Sequence, residues 1–186
     1  MNLLAHFYLA DLTATSAAGQ LLGDRVKGRL DGRLDADIER GIRLHRAIDS
    51  FTDSHRLTAD LRRRFAPPLR RYGGILVDIG FDYCLSRDWT RYSNTPLPTF
   101  ARQVVNQARR EWPATAAPAP DTGLARALAT YGQPHGLQCA LDSVDRRLRR
   151  PSPLPEALPA LMAQQTHLQA AFDVFFPELC VYARRV

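Results

Sequence analysis

The chain has 186 residues and a formal charge of +6, carried by arginine apart from a single lysine, Lys27. That length allows one domain with a sizeable core, and no apolar run approaches what is needed to cross a bilayer, so membrane insertion is not expected. Three scattered cysteines, Cys84, Cys139 and Cys180, argue against a disulfide framework or a cysteine-built zinc site and fit a reducing compartment, so a cytoplasmic protein is expected. The positive charge favours acidic partners, whether nucleic acid, an anionic membrane surface or an acidic protein. Arginine richness also follows from a GC-rich genome, so charge alone selects none of them.

Residues 3–22 carry a broad apolar helix pattern that ends near Gly23. The N-terminal MNLLAHFYLADLTA lacks a basic leader and carries His6 and Asp11, so a signal peptide is not expected. GRLDGRLDAD reads as a polar turn with Asp35 as a helix cap, and the helical pattern resumes over 36–52. A short basic helix is predicted over 58–65, stopped by Pro67-Pro68, with a further helix over 69–91. The next spans 96–111, with Pro96 at its start, where proline is tolerated. PATAAPAPD (113–121) reads as a loop, followed by helices at 122–131, 136–149 and 154–175. Taken alone, Ile75–Phe81 is also compatible with a buried strand, but the helical periods around it favour a helix. The expectation is an all-α single domain, a helical bundle over residues 1–186.

The chemistry concentrates in the first half. In GILVDIGFDYCLSRDW (74–89), Asp78 and Asp82 stand four residues apart in the most apolar stretch of the chain. At about 100° per residue, Ile75, Asp78, Asp82, Leu85 and Trp89 share one stripe of a helix. Val77, Gly80 and Cys84 opposite are also non-polar, so the helix reads as buried all round. A buried carboxylate needs a cation, a metal or several hydrogen-bond donors. GIRLHRAIDSFTD (41–53) places His45 and Asp49 one turn apart beside an apolar face of Leu44, Ile48 and Phe51, with Asp53 a turn further on. A histidine and a carboxylate so spaced can converge on one point, as metal ligands on helices do. Asp24, in LLGDRVKG, lies next to a glycine, and His6 is a polar residue within an apolar helix.

Ordinary structural roles compete for each of these residues. They are a core hydrogen bond for His6, a cap for Asp24, helix salt bridges to Arg46 or Arg56 for Asp49 and Asp53, and an internal salt bridge to Arg43 or Arg71 for the Asp78 and Asp82 pair. Two helices that each carry an i, i+4 pair of this kind favour a divalent-metal site. Mixed imidazole and carboxylate ligands suit Mn²⁺, Fe²⁺, Zn²⁺ or Mg²⁺.

The segments MNLLAHFYLA, LLGDRVKG, GIRLHRAIDSFTD and GILVDIGFDYCLSRDW, in this order and spacing, resemble the acyl-carrier-protein phosphodiesterases. The similarity is close over about the first 90 residues and rests on length and helical character beyond them. The resemblance implies a hydrolase that removes 4′-phosphopantetheine from holo-acyl carrier protein to give the apo form. It also implies a helical fold distantly similar to the HD-type metal-dependent phosphohydrolases, with Mn²⁺ the usual metal and Mg²⁺ or Fe²⁺ as alternatives. The family's polar residues map onto His6, Asp24, His45, Asp49, Asp53, Asp78 and Asp82. Where family members commonly place a histidine directly after the second acid, this chain has Tyr83.

On that footing the expected metal ligands are Asp24, His45, Asp78 and Asp82. The expected catalytic group is Asp49 orienting His45 or completing the shell, His6 as proton donor, and Arg46 near the phosphate. Arg25 and Lys27 are further candidates to hold phosphate oxygens. An acidic carrier protein would meet a basic face, for which Arg62–Arg64, Arg70-Arg71, and Arg146-Arg147 with Arg149-Arg150 are candidates. Two other readings remain: an HD-like phosphohydrolase acting on a nucleotide or another small phosphodiester, and a non-catalytic helical protein that binds acyl carrier protein. No nucleic-acid motif is recognisable, so no nucleic-acid partner is expected.

Overall fold

The apolar pattern over 3–22 is divided into two helices in the computed structural model of the chain, which describes residues 1–116 and 118–186. Helix α1 spans Leu3–Leu12 and α2 spans Ala17–Leu22. Three short polar side chains make the break. The Thr13 hydroxyl donates back to the Leu9 carbonyl at 2.7 Å, and the Ser16 hydroxyl accepts the Gly19 N–H at 2.9 Å as the cap of α2. Thr15 hydrogen-bonds Thr13 between them. Side chains that bond their own backbone offer it an alternative to the helix.

Helix α3 (Ala36–Ser54) starts where predicted, with the Asp35 carboxylate accepting from the Asp37 N–H. Helix α4 (Arg56–Arg63) follows directly, capped by His55. The chain then turns at Pro67-Pro68, whose peptide bond is cis. The helix predicted over 69–91 is α5 (Gly73–Arg87), flanked by 3-10 turns at Leu69–Tyr72 and Trp89–Arg91. Next come α6 (Leu97–Glu111), α7 (Gly123–Ala129) and α8 (Pro134–Asp145). The predicted loop includes Ala117, which lies outside the described residues. The segment predicted as one helix over 154–175 is a 3-10 turn followed by α9 (Leu158–Ala163) and α10 (Gln165–Ala183). Helix α10 continues past the predicted end with Pro177 inside it. No strand occurs among the described residues, so the all-α expectation holds. No helix among them is long and apolar enough to cross a membrane.

Helix α5 is the axis of the core. Leu76, Val77, Phe81, Cys84 and Leu85 are inaccessible to solvent, as the all-round apolar pattern implies. Phe172, Phe175 and Phe176 of α10 pack against it, with the Phe81 and Phe175 rings stacked at 5.1 Å. Each such ring buried stabilises the fold by about 1.5–3 kcal/mol. Glycines allow two close approaches between helices. A Cβ on Gly80 would lie 2.8 Å from the Leu168 side chain, and one on Gly19 would lie 2.6 Å from the Ile38 carbonyl. The second contact presses α2 onto α3 and brings the turn after α2 against His45.

Candidate metal centre

Histidine 6 of α1 and His45 and Asp49 of α3 meet where the two helices cross. Asp49 is shared: its Oδ1 lies 3.2 Å from His6 Nε2 and its Oδ2 lies 3.0 Å from His45 Nε2. The two imidazoles stack with centroids 4.2 Å apart. One donor atom from each of the three residues falls within 4.8 Å of the others. Asp24 joins from the turn after α2, its Oδ1 3.4 Å from His45 Nε2. Gly23 permits this approach, since a Cβ there would fall 2.2 Å from the His45 ring.

A buried glutamine sets the tautomer of His6. The Gln20 amide nitrogen donates to the Gly41 carbonyl at 3.2 Å, so its Oε1 must be the atom facing His6 Nδ1 at 3.0 Å. That oxygen can only accept, so Nδ1 carries the proton and Nε2 turns a lone pair towards Asp49. Burial holds the His6 pKa below its ordinary value, which keeps the ring neutral. A lone pair facing a carboxylate oxygen at 3.2 Å is unfavourable unless a cation lies between them. Two more buried atoms, His45 Nδ1 and Asp78 Oδ1, have no hydrogen-bond partner.

The remaining charges are consistent with a cation-binding site. Burial opposes protonation of His45, but hydrogen bonds to Asp24 and Asp49 prevail and push its pKa up to about 9. Burial likewise opposes ionisation of Asp49, yet the hydrogen bond from His45 and the nearby Met1 ammonium hold it well below the usual carboxylate range. Burial raises Asp78, although the α-ammonium of Met1 lies 3.2 Å from its Oδ1 as an ion pair outside hydrogen-bond geometry. In the metal-free protein one imidazolium and one ammonium thus face three carboxylates. Two imidazole nitrogens with carboxylate oxygens are a donor set that divalent transition ions accept.

The cluster opens into a cleft of about 290 Å³. Asp24, Asp78 and Ile75 line it on the cluster side, and Val144, Arg147 and Leu148 from the end of α8 face them. A larger cavity of about 340 Å³ lies elsewhere, lined by Ser16, Asp35, Ile38 and Glu111. It holds no histidine, and its Ser16 and Glu111 bond each other at 2.7 Å, so the smaller cleft is the candidate site.

The model of the family described as acyl carrier protein phosphodiesterase matches residues 1–179. The chain belongs to this family. It is 31% identical over 191 residues to the acyl carrier protein phosphodiesterase of Enterobacter sp. (strain 638), covering 99% of this chain and 98% of that one. A protein of the same name from Escherichia coli O6:K15:H31 (strain 536 / UPEC) is 31% identical over 194 residues, covering 100% and 98%. One from Pectobacterium atrosepticum is 42% identical over 108 residues, covering 58% and 56%. No solved structure matches the chain significantly, so the likeness to HD-type folds rests on the sequence resemblance alone.

Several positions mapped from the acyl carrier protein phosphodiesterase pattern have other tasks in this member. Asp82 is the main correction. Its Oδ2 accepts the Leu4 N–H at 2.8 Å and its Oδ1 the Ala5 N–H at 3.0 Å, so it caps α1 from across the core. The first N–H groups of a helix lack intrahelical partners, and a carboxylate satisfies both the bonds and the dipole. Asp82 shares the face of α5 that carries Asp78, as the helical wheel indicates, but both its oxygens are engaged and it stands outside the donor cluster. Asp53 is exposed and ion-pairs with Arg62. His6, expected as proton donor, has both ring nitrogens engaged in the buried cluster.

The expected phosphate-binding residues are redistributed as well. Arg46 donates to the Val26 and Gly28 carbonyls at 2.7 and 2.9 Å and so clamps the loop after Asp24. Arg25 lies over the Trp112 ring. Lys27 lines a shallow depression that shares Asp24, His45 and Asp49 with the cleft. Tyr83 does not line the cleft. Its hydroxyl accepts from Arg87 Nη1 at 3.5 Å, and the Arg87 guanidinium covers its ring. The departure from the family's usual histidine therefore falls away from the donor cluster. Sequence reasoning missed Gln20, a polar residue in an apolar run just as His6 is, and named Arg147 only within a basic docking patch, whereas the fold brings it to the cleft.

Proposed function

We infer that this protein hydrolyses the phosphodiester between a carrier serine and 4′-phosphopantetheine, converting holo-acyl carrier protein to the apo form with the help of a divalent ion. The observation that carries the metal reading is the Gln20-fixed tautomer of His6, whose Nε2 lone pair faces Asp49 at 3.2 Å. His6, His45 and Asp49 would hold the ion, with Asp24 and Asp78 beside them and Mn²⁺ the metal the family resemblance favours. When bound, such an ion supplies a water of lowered pKa and neutralises charge on the phosphoryl oxygens. Gln20 holds His6 in its metal-binding tautomer, an outer partner of the sort that fixes ring orientation in metal sites. Asp49 orients both imidazoles, and Arg147 is the guanidinium in the cleft suited to non-bridging phosphate oxygens;. Arg25, Lys27 and Arg46 are less well placed for that role.

The same geometry selects among the basic patches. Arg62 and Arg63 are ion-paired with Asp53 and Asp60, and Arg64 bonds Gln164 and His167. Arg70 donates to the Phe65 carbonyl, and Arg71 lies over Tyr72. Arg146, Arg149 and Arg150 are exposed and, among the described residues, not ion-paired. They neighbour Arg147 and Leu148 at the rim of the cleft, so this patch is the docking face for the acidic carrier protein. The free thiols of Cys84, Cys139 and Cys180 favour the reducing cytoplasm as its place of action.

The test is to incubate the purified protein with Mn²⁺ and holo-acyl carrier protein and weigh the carrier by mass spectrometry. Loss of the prosthetic-group mass is expected. An unchanged carrier mass together with cleavage of small nucleotide diesters would overturn the reading in favour of a small-molecule phosphohydrolase.

A further inference from the structure

A second, narrower cavity of about 100 Å³ opens beside the metal cleft. The two share Asn2, Leu3, Val144 and Arg147 in their walls, so they adjoin each other with Arg147 facing both. Beyond Arg147 the walls come from α7, the turn after it and α8: Leu124, Tyr131, Ala140, Cys139 and Ser143. They are mostly apolar with a few neutral polar groups, and Arg147 is the sole charged residue among them.

A phosphodiester seated in the cleft has two substituents to place. One is the carrier serine, attached to a folded protein that must remain outside, against the basic rim. The other is a chain with a gem-dimethyl carbon and a hydroxyl near the phosphate, then two amides and a terminal thiol, flexible and uncharged beyond its phosphate. Neutral walls with a few hydrogen-bonding groups match such a chain, and the one cation stands where the phosphate would be.

We propose that the side cavity between α7 and α8 receives the pantetheine arm, with Arg147 gripping the phosphate at its mouth and Cys139 beside the chain. The proposal rests on the phosphodiesterase reading of the cleft and assigns substrate selection to the C-terminal half. That half supplies no ligand to the metal cluster.

Cys139 provides the readout, because it is exposed while Cys84 and Cys180 are buried. The rate of Cys139 alkylation by N-ethylmaleimide would be followed on the intact protein, with peptide mapping and loss of the label in Cys139→Ser identifying the site. The probes are 4′-phosphopantetheine, S-methylated so that its own thiol cannot consume the maleimide, and inorganic phosphate. With 4′-phosphopantetheine at about ten times its Kd, mass action leaves about one-tenth of the protein unliganded, so alkylation should slow about tenfold. Inorganic phosphate should leave the rate unchanged, since it fills the cleft alone. No protection by 4′-phosphopantetheine overturns the proposal, whether or not holo-acyl carrier protein is hydrolysed, and equal protection by phosphate does the same. Protection without hydrolysis of holo-acyl carrier protein would leave the arm site standing while the catalytic reading fails.

Discussion

Replacing Asp82 by alanine should destabilise the fold and leave metal binding intact. Both carboxylate oxygens accept backbone N–H groups of α1, at 2.8 and 3.0 Å, in a site with no solvent exposure. Asp82→Ala leaves two buried donors without acceptors, at about 1–3 kcal/mol each, or about 2–6 kcal/mol together. For a chain of this length 1 kcal/mol corresponds to about 2–4 °C, so Tm should fall by about 4–24 °C. The assay is thermal unfolding of the metal-free protein beside metal content after loading and desalting. Asp49→Ala serves as the opposite case, because Asp49 sits in the donor cluster with a third of its side chain exposed; it should lose metal and keep most of its Tm. An Asp82→Ala protein with unchanged Tm and no bound metal would refute the capping assignment and restore Asp82 as a ligand.

Four further outcomes follow from the same geometry. Burial pushes the Asp82 carboxyl up to about 7 from 3.8, so the folded state binds its proton more tightly than the unfolded chain and stability falls as pH rises from about 4 to 7. His45 at about 9 against 6.5 contributes stability below pH 6.5 that is lost as pH rises through 9; Tm of the metal-free protein should therefore drop between pH 5 and pH 9, and a Tm that climbs over that range contradicts both shifts. Because a metal ligand must be deprotonated, Mn²⁺ binding at pH 7.5 should release about one proton from His45, seen as a dependence of calorimetric heat on buffer ionisation enthalpy; no such dependence removes His45 from the shell. Gly23→Ala would drive a methyl into the His45 ring and should weaken Mn²⁺ affinity by about 10–100-fold, whereas unchanged affinity would show that the ring has room to shift. Reversing charge at Arg149 and Arg150 should raise KM for holo-acyl carrier protein and flatten its salt dependence, and a KM insensitive to both would discard the docking face.

The helical architecture was legible because its signals are local. The Asp35 cap, the i, i+4 apolar stripes of α3 and the two-sided burial of α5 are all written within about twenty residues of sequence. The division of 3–22 into two helices was overlooked although Thr13, Thr15 and Ser16 marked it, because apolar periodicity continues through the break. His45 and Asp49 meet as their spacing implies. Asp78 and Asp82 do share one face, but spacing cannot tell a ligand from a cap when the N–H groups that decide the matter belong to another helix. The roles of Gln20 and Arg147 were out of reach for the same reason: they depend on tertiary neighbours, Gly41 and His6 for the first and the α8-lined cleft for the second.

The bond from Asp82 to the start of α1 also bears on the order in which the chain folds. Its partners are 78 residues apart, and closing a loop of that length costs about 4 kcal/mol of chain entropy. The contacts that press α2 onto α3 join segments about twenty residues apart and close about 1 kcal/mol more cheaply. Gly23, Asp24 and His45 can thus come together early, as can His6 with Gln20, while the first turn of α1 is capped only after α5 has docked. A chain in which α5 has not docked would present His6, His45, Asp49 and Asp24 without Asp78, so completion of the cleft reports the docking of α5.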